Sequence, residues 1–563
     1  MSEQADLRVG VFVCHCGLNI GGVVDVPSVV EFVKTLPGIA YSEGNLYTCS
    51  SDGLDKIKKA ISEHKLDRVV VASCTPRTHE PLFRKTCEEA GLNKYLFEMA
   101  NIREHCSWVH PQEPEKATQK AKEIVAMAVA KARHLQPQNE PEVEIYPSAL
   151  VIGGGVAGMG AALSLARQGF DVNLVEKEEE LGGMLRNLYK LFPENEDARN
   201  VLEETIKAVQ ANERIHVLTS STVKNVKGFL GNFDVTVTRE GQDTEIRAGT
   251  MIVATGADYF EPNGMYGYGD HPNVITQLQL EEELKEDRLG TPQRVVMIQC
   301  VGSREKQGRT YCSRICCTEA LKNAILILKR SPATEVYILY RDMQTYGKEH
   351  EKYQWIAREK GVRFVRYLQD RPPEINFAPG KKPVLKVYHA LLSEDIELES
   401  DLVVLASPLV PSQTAKDLSQ VLKVPLGSDG FFLEAHVKLR PVDFAADGIF
   451  VCGTAHSPKN LAETIAQAHA AASRASIPLA LGKMRTEAIM SVIDERLCSG
   501  CGTCISMCPY GAIQKDEKGI ARTIDVVCKG CGVCAASCPE NAITMRHFTD
   551  EQIIAEVYAA LSR

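Results

Sequence analysis

The chain has 563 residues, 44% hydrophobic and 24% charged, and this balance predicts a globular protein of about three domains. A formal net charge of −9 argues against a general nucleic-acid-binding protein. We find no charged-then-apolar leader and no apolar run of the ~18 residues that a membrane span needs, so we expect a cytoplasmic protein that binds neither membrane nor nucleic acid. Nineteen cysteines in such a chain favour metal binding over disulfides.

Residues 1–135 predict a small α/β domain, because short apolar strands alternate with helical patterns. Its cysteines come at or just after strand ends. The carboxyl ends of parallel strands meet at one edge of a sheet, so these side chains should gather there. They either hold a [4Fe–4S] cluster or are buried structural cysteines, and the set consists of Cys14, Cys16, Cys49 and Cys74.

A second domain, residues 148–485, follows a proline-containing linker and opens on a dinucleotide-binding fingerprint. Residues 148–152 are a short apolar strand that leads into Gly153, Gly155 and Gly158 and then into a helical stretch. The glycines let the backbone approach a pyrophosphate at the helix N-terminus. Glu176 ends the next strand, 18 residues after Gly158, where it would hydrogen-bond a ribose hydroxyl.

Later segments favour FAD over NAD as the nucleotide. They supply a second glycine pair, a strand that ends in a tight turn, and a final strand, turn and long helix. The residues involved are Gly182, Gly183, Thr255, Gly256, Gly453 and Thr454. This pattern resembles the thioredoxin-reductase-like flavoproteins of the pyridine-nucleotide–disulfide oxidoreductase superfamily, which have two Rossmann-like halves. Their usual Gly-Asp is Gly453-Thr454 here, so a hydroxyl would replace the carboxylate.

The second Rossmann-like half departs from that superfamily, because its first strand is not followed by G-x-G-x-x-G. This absence argues against direct reduction by NAD(P)H. In place of the glycines stand four cysteines, which either hold a cluster or are incidental buried thiols. They are Cys300, Cys312, Cys316 and Cys317.

Residues 486–547 predict a two-cluster ferredoxin, and residues 548–563 a C-terminal helix. The run Cys-x2-Cys-x2-Cys-x3-Cys-Pro occurs twice, and zinc knuckles would need two CxxC pairs instead. In this pattern the fourth cysteine of each run ligates the other cluster. One cluster should therefore take Cys498, Cys501, Cys504 and Cys538, and the other Cys528, Cys531, Cys534 and Cys508.

The whole chain resembles the A-type subunits of heterodisulfide reductase, including their bacterial relatives. The most specific stretches are VFVCHCG, VVVASCTPRTHEPLFR, ANIREHCSWVH, VIGGGVAGM, QCVGSRE, YCSRICC and the two ferredoxin runs. The resemblance implies that both further cysteine sets ligate clusters, for a total of four [4Fe–4S] clusters and one FAD. One departure is clear: a ferredoxin that many methanogen subunits carry after the strand matching GNFDVTVTRE is absent, so this is a short form.

The resemblance also implies a function. An electron-donor subunit linked to hydrogen, formate or NADH would reduce the FAD, which would pass one electron to ferredoxin and one to B- and C-like heterodisulfide reductase subunits. This is flavin-based electron bifurcation, within a larger complex that contains a homodimer. The alternatives are a non-bifurcating, NAD(P)H-linked flavin oxidoreductase that feeds an iron–sulfur chain, and an electron-transfer scaffold without flavin chemistry.

His456 and Lys459 follow the Gly453-Thr454 turn, where the superfamily approaches the flavin ring. We expect both to belong to the cofactor site. Our hypothesis is that Lys459 contacts the N5 or O4 region and stabilises reduced, anionic flavin, because nearby cations tune flavins in this way. The alternative is a solvated lysine at the start of a helix.

Overall fold

The computed structural model describes residues 7–562. The chain divides into two compact units, one formed by residues 7–142 together with 485–562 and the other by residues 143–484. The first and last segments of the chain therefore fold against each other. Among the described residues, no helix combines the length and the hydropathy needed to cross a membrane.

The N-terminal part of the first unit is a four-stranded parallel sheet flanked by helices. The two central strands are apolar along most of their length, and this is why they are buried on both faces. In spatial order the four strands are Ile39–Asn45, Val9–Cys14, Arg68–Ser73 and Phe97–Asn101. The helices are Leu18–Gly21, Val26–Val33, Ser51–Glu63, Pro76–Glu89 and Pro114–Ala132, with a π-helical turn at Arg103–Ser107.

The C-terminal part of this unit has internal pseudo-symmetry. Two antiparallel pairs, Ser491–Ile493 with Ile543–Met545 and Ile513–Lys515 with Ala521–Thr523, accompany the short helices Thr503–Met507 and Val533–Ala536. A capping box at Thr549 starts the last helix, Asp550–Leu561, which packs on Pro114–Ala132. The amide of Gln552 donates to the carbonyl of His134 over 3.0 Å, and this bond joins the two segments of the unit.

The second unit contains two parallel five-stranded sheets. The first has the order Ile215–Leu218, Asp171–Val175, Ser148–Ile152, Thr250–Val253 and Ile449–Val451. One face packs on helices Val156–Arg167, Ala198–Gln210 and Leu461–Leu481. The other face packs on helix Ala415–Leu422 and an antiparallel sheet of Ser221–Phe229, Asn232–Arg239 and Gln242–Ala248.

The second sheet has the order Val274–Thr276, Leu402–Leu405, Arg294–Ile298, Glu335–Tyr340 and Arg363–Arg366. Its helices are Gln277–Lys285, Cys316–Arg330 and Lys348–Glu359, and an antiparallel sheet of Glu374–Asn376, Val384–His389 and Glu394–Glu399 packs on it. The chain passes between the sheets through the antiparallel pair Ala257–Tyr259 and Leu409–Pro411. These are the two Rossmann-like halves that the sequence predicts.

Candidate functional site: a dinucleotide cradle and four cysteine sets

The fingerprint glycines form a tight turn between strand Ser148–Ile152 and helix Val156–Arg167. A Cβ on Gly158 would lie 1.8 Å from the carbonyl oxygen of Gly153, and one on Gly153 would lie 2.3 Å from that of Ala254. A side chain at either position would therefore force the loop open. The space in front of Gly155 stays free, since the nearest atom to a Cβ there is 4.0 Å away. Such a cradle at a helix N-terminus fits the pyrophosphate of a dinucleotide.

Glu176 is buried at the end of the next strand, where its carboxylate organises this turn. One oxygen accepts the backbone N–H of Gly154 at 2.5 Å, and the other accepts that of Glu178 at 2.9 Å. The carboxylate thus lies beside the cradle, where the sequence predicts the ribose contact. That contact itself remains a prediction.

The other predicted FAD residues surround the same cradle. Gly182 donates its N–H to the carbonyl of Gly154 over 2.9 Å, and a Cβ on Gly183 would lie 3.1 Å from Gly155. A Cβ on Gly256 would lie 3.8 Å from the Thr454 hydroxyl, while one on Gly453 would lie 2.7 Å from the Ala157 side chain. The structure therefore brings segments from four parts of the chain to one place.

The Thr255 hydroxyl is buried and has no hydrogen-bond partner among the described residues. A buried polar atom without a partner is unfavourable, and a bound polar ligand removes that penalty. The donor left free beside a glycine-lined cradle fits the predicted FAD.

Lys459 is buried, with 8% of its surface exposed, so it is not a solvated lysine at a helix start. Its ammonium donates to the carbonyl oxygens of Gly453 and Ser457, both at 2.8 Å, and to the Ser457 hydroxyl at 3.1 Å. Burial, and then the charge of Arg314, lower the pKa of Lys459 to about 8. A contact between Lys459 and the flavin stays a prediction.

His456 is held on both sides. Its Nε2 lies 2.8 Å from Glu434 Oε2, and its Nδ1 lies 2.9 Å from the side-chain nitrogen of Gln467. Burial lowers the pKa of His456, although Glu434 opposes this, so the ring is neutral near pH 7. Because the Gln467 amide donates to Nδ1, the proton resides on Nε2 and faces Glu434. No sequence motif pointed to Glu434 or Gln467 as partners of this ring.

The four cysteines of the second Rossmann-like half come together at the start of helix Cys316–Arg330. The pKa of Cys316 lies well above its usual range because of its hydrogen bond with Cys317, its burial, and the nearby Cys300 and Cys312 thiols. Cys300 adopts a left-handed backbone, with φ +62°, and burial raises its pKa to about 11. The four thiols thus lie close together behind a strand end, where the superfamily has its second glycine loop.

Arginines surround this four-cysteine loop. Arg304 donates to Asp342 over 2.8 Å, and its positive charge opposes the rise in the pKa of Cys300 that burial causes. Arg341 donates to Glu305 over 3.2 Å and acts on Cys300 in the same direction. Positive charges of this kind partly offset the cost of a buried thiolate, which is the form of cysteine that binds a cluster.

The N-terminal cysteines also meet at one sheet edge. Cys14 Sγ accepts the backbone N–H groups of Cys16 at 3.3 Å and of Thr48 at 3.4 Å. Burial raises the pKa of Cys74 to about 11, and the Cys16, Cys14 and Cys49 thiols act in the same direction. The side chain of Arg103 approaches Cys16 Sγ at 3.8 Å, and its charge opposes the rise at Cys74.

The ferredoxin cysteines line two separate cavities. One cavity is lined by Cys498, Cys501, Cys504 and Cys538, and the other by Cys508, Cys528, Cys531 and Cys534. These are the two sets that the crossover pattern predicts. The backbone N–H groups of Ala512 and Ala542 donate to Cys508 and Cys538 over 3.3 and 3.4 Å, which orients the two crossing thiols.

No group of three or more metal-ligating side chains in residues 7–562 is arranged around a single ion. The three cysteines outside the four sets, Cys87, Cys106 and Cys452, are fully buried. Burial raises the pKa of Cys87 and Cys452 to about 12, so both are inert thiols.

A buried ion pair between Lys322 and Glu281 has no counterpart among the sequence predictions. Lys322 also donates to the carbonyl of Lys190 over 2.8 Å, and Glu281 accepts the backbone N–H of Tyr189 at 2.9 Å. The pair thus holds two helices of the second sheet against the segment that follows Gly183. The sequence feature that could have indicated this ion pair is a lysine within the apolar face of a helix.

Two family models match the chain. Residues 147–475 match the pyridine nucleotide-disulphide oxidoreductases, and residues 491–545 match the 4Fe-4S dicluster domain. The Lactococcus lactis thioredoxin reductase structure overlies 60% of this chain and all of its own, with 17% identity and a TM-score of 0.43.

Curated relatives match along the full length, and all three described here are A-type subunits. The A-type iron–sulfur subunit numbered 1 of the CoB–CoM heterodisulfide reductase of Methanopyrus kandleri is 41% identical to this chain. The alignment covers 100% of this chain and 99% of that relative. The A-type subunit of the H(2):CoB-CoM heterodisulfide,ferredoxin reductase of Methanothermobacter marburgensis is 40% identical, and the alignment covers 99% of this chain and 97% of that relative. That of the H(2)/formate:CoB-CoM heterodisulfide,ferredoxin reductase of Methanococcus maripaludis is 38% identical, with 99% of each covered.

A dinucleotide fold joined to a dicluster ferredoxin moves electrons, and this chain is accordingly an oxidoreductase that depends on FAD and [4Fe–4S] clusters. The similarity to the curated relatives extends through the N-terminal domain, which neither family model covers. The chain belongs to the family of heterodisulfide reductase A-type subunits.

Proposed function

We propose that this chain is the FAD-containing electron-transfer subunit of a heterodisulfide-reductase-type complex and that it performs flavin-based electron bifurcation. A bound flavin supplies the conversion between two-electron and one-electron chemistry, and clusters carry single electrons. One electron of each pair goes to ferredoxin and the other to B- and C-like subunits. The relatives named for both heterodisulfide and ferredoxin support this assignment.

The observation that carries the proposal is the four-cysteine loop, which contacts the segment after the Gly453-Thr454 turn through Arg314. A pyridine-nucleotide–disulfide oxidoreductase that accepts hydride from NAD(P)H needs a second nucleotide-binding loop. In this chain that loop would follow strand Arg294–Ile298. In this chain Cys300 takes that place, and its thiol lies close to three others. Electrons therefore enter through a partner subunit, linked to hydrogen, formate or NADH, and leave through clusters. We also propose a homodimer within the larger complex.

The residues of the chain have defined tasks in this function. The cradle of Gly153, Gly155 and Gly158 binds the FAD pyrophosphate, and Glu176 orients the turn and the ribose. Lys459 places a cation near the isoalloxazine ring. His456 contributes a neutral side chain to the same region, where its hydrogen bond with Glu434 holds it in place.

Sixteen cysteines form four sets, and each set holds one cluster. The sets are Cys14, Cys16, Cys49 and Cys74; Cys300, Cys312, Cys316 and Cys317; Cys498, Cys501, Cys504 and Cys538; and Cys508, Cys528, Cys531 and Cys534.

The test is stoichiometry followed by a flavin titration on anaerobically purified protein. We expect about sixteen iron and one FAD per chain, from four cubanes of four iron each. We also expect the flavin to take up both electrons in a single step, because bifurcation requires the second electron to leave at a much lower potential than the first. About eight iron per chain, with electron uptake in two well-separated steps, would contradict bifurcation and leave a simple one-electron-transfer flavoprotein.

A further inference from the structure

Arg314 occupies a strained position in the middle of the four-cysteine loop, two residues after Cys312 and two before Cys316. Its backbone φ is +63°, in the left-handed region that side chains other than glycine, asparagine and aspartate rarely adopt. In this conformation its N–H donates to Cys312 Sγ over 3.3 Å. The backbone of Arg314 therefore belongs to the predicted cluster site.

The side chain of the same residue reaches the predicted flavin site. One guanidinium nitrogen donates to the carbonyl oxygen of Pro458 over 3.2 Å, and another donates to Glu463 Oε1 over 2.6 Å. The guanidinium also stacks on the ring of Tyr346, 5.0 Å from its centroid. Three contacts hold the planar guanidinium, so little rotamer freedom remains. The Arg314 side chain therefore forms a rigid strut between the four-cysteine loop and the segment around Pro458 and Glu463.

Glu463 lies in the segment that approaches the flavin in the thioredoxin-reductase-like flavoproteins. It forms a capping box with Asn460, which begins helix Leu461–Leu481 shortly after the Gly453-Thr454 turn. Arg314 thus contacts the segment before this helix through Pro458 and its first turn through Glu463. Its charge is also the second cause, after burial, of the lowered pKa of Lys459.

We propose that Arg314 is the positioning residue that holds the four-cysteine cluster against the flavin-binding segment and so sets the rate of electron transfer between them. The proposal rests on the proposed function. A bound flavin would take two electrons from the donor and supply one to the oxidised cluster and one to the second acceptor, with the accompanying protons returning to solvent. Tunnelling rates fall steeply with distance, so a loosened strut slows this step even when both groups remain bound.

Two variants separate positioning from folding. Asparagine tolerates the left-handed backbone and keeps the N–H that donates to Cys312, but it is too short to reach Pro458 or Glu463, so Arg314→Asn removes only the strut. Arg314→Lys keeps the charge but loses the two-pronged geometry. Lys306→Asn is the matched control, because it removes one exposed cation from the same loop.

The experiment uses full-length, anaerobically purified holoprotein. Iron and FAD per chain are counted first. Cryogenic photoreduction then traps a flavin radical that does not build up at equilibrium. Microwave-power saturation of its EPR signal reports how close the reduced, paramagnetic cluster lies, and flash photoreduction of the flavin gives the rate at which the cluster is reduced. We expect unchanged iron and FAD in Arg314→Asn, a flavin signal that saturates at lower power, and at least tenfold slower cluster reduction. Arg314→Lys should lie between this variant and wild type, and Lys306→Asn should match wild type.

Wild-type saturation and rate in Arg314→Asn would overturn the proposal. If Arg314→Asn loses its FAD or fails to fold, Arg314→Lys decides by the same two measurements. Failure of the proposed function has a different signature: Cys312→Ser would then lose no iron relative to wild type, because no cluster occupies the loop in either protein.

Discussion

Lys322 and Glu281 form an ion pair that is almost fully removed from water, with 6% and 0% of their side chains exposed. Removing one partner of such a pair leaves an uncompensated buried charge, which typically destabilises a protein by about 3–5 kcal/mol. We therefore expect Lys322→Met to lower the midpoint of thermal unfolding by several degrees, measured by calorimetry and by flavin release.

The double variant Lys322→Met with Glu281→Gln should recover part of that loss, because no buried charge remains from the pair. Lys329→Met is the control, since Lys329 is exposed on the same helix. A Lys322→Met protein as stable as the Lys329→Met control would show that the ion pair does not stabilise the protein.

The dinucleotide cradle can be tested with two alanine substitutions two residues apart on the same helix. Gly158→Ala would place a Cβ 1.8 Å from the carbonyl oxygen of Gly153, so the turn must open and FAD affinity should fall at least tenfold. Gly160→Ala meets only the Ala468 side chain at 3.6 Å and should bind FAD normally. FAD per chain and equilibrium titration of the apoprotein measure both. Equal affinities in the two variants would mean that the pyrophosphate does not bind at this turn.

The crossover in the ferredoxin predicts which cysteine substitutions behave alike. Cys538→Ser and Cys498→Ser should each lose about four iron per chain and abolish the same EPR signal, although the two residues lie in different motifs. Cys508→Ser and Cys528→Ser should form the second matched pair. The double variant of Cys498 and Cys538 should lose no more iron than either single variant. Pairing of Cys538 with Cys528 instead would contradict the crossover.

Lys459 should make stability depend on pH in the alkaline range. Burial lowers its pKa to about 8, whereas an unfolded lysine titrates near ~10.4, so between these values the unfolded state binds more protons. The contribution of Lys459 to the free energy of unfolding therefore rises with pH across this window, by about 3 kcal/mol, and below pH 8 the penalty of burying its charge is fully present.

The Lys459→Met protein should lack this rise, and the exposed-lysine variant Lys483→Met should keep it. Urea unfolding across the neutral-to-alkaline range measures the difference between variants. Parallel pH profiles for wild type and Lys459→Met would show that Lys459 does not titrate in this range.

Much of the site could be predicted from the sequence because it depends on local spacing. Short x2 loops place three thiols around one cubane, and a strand, a glycine turn and a helix bind a pyrophosphate wherever they occur together. The arrangement of the chain into two units could not be predicted in this way. Residues 7–142 and 485–562 share a unit through contacts such as that of the Tyr95 hydroxyl with the backbone N–H of Ala488, across 393 residues.

The sequence by itself determined the FAD fold, the two ferredoxin motifs and the family, because each depends on residue types at fixed short spacings. Only the tertiary structure decided that Lys459 is buried, that Glu434 and Gln467 fix His456, and that Arg314 spans from Cys312 to Glu463. The physical reason is that these contacts join side chains on separate elements. Their distances follow from how helices and sheets pack, and no local pattern records that packing.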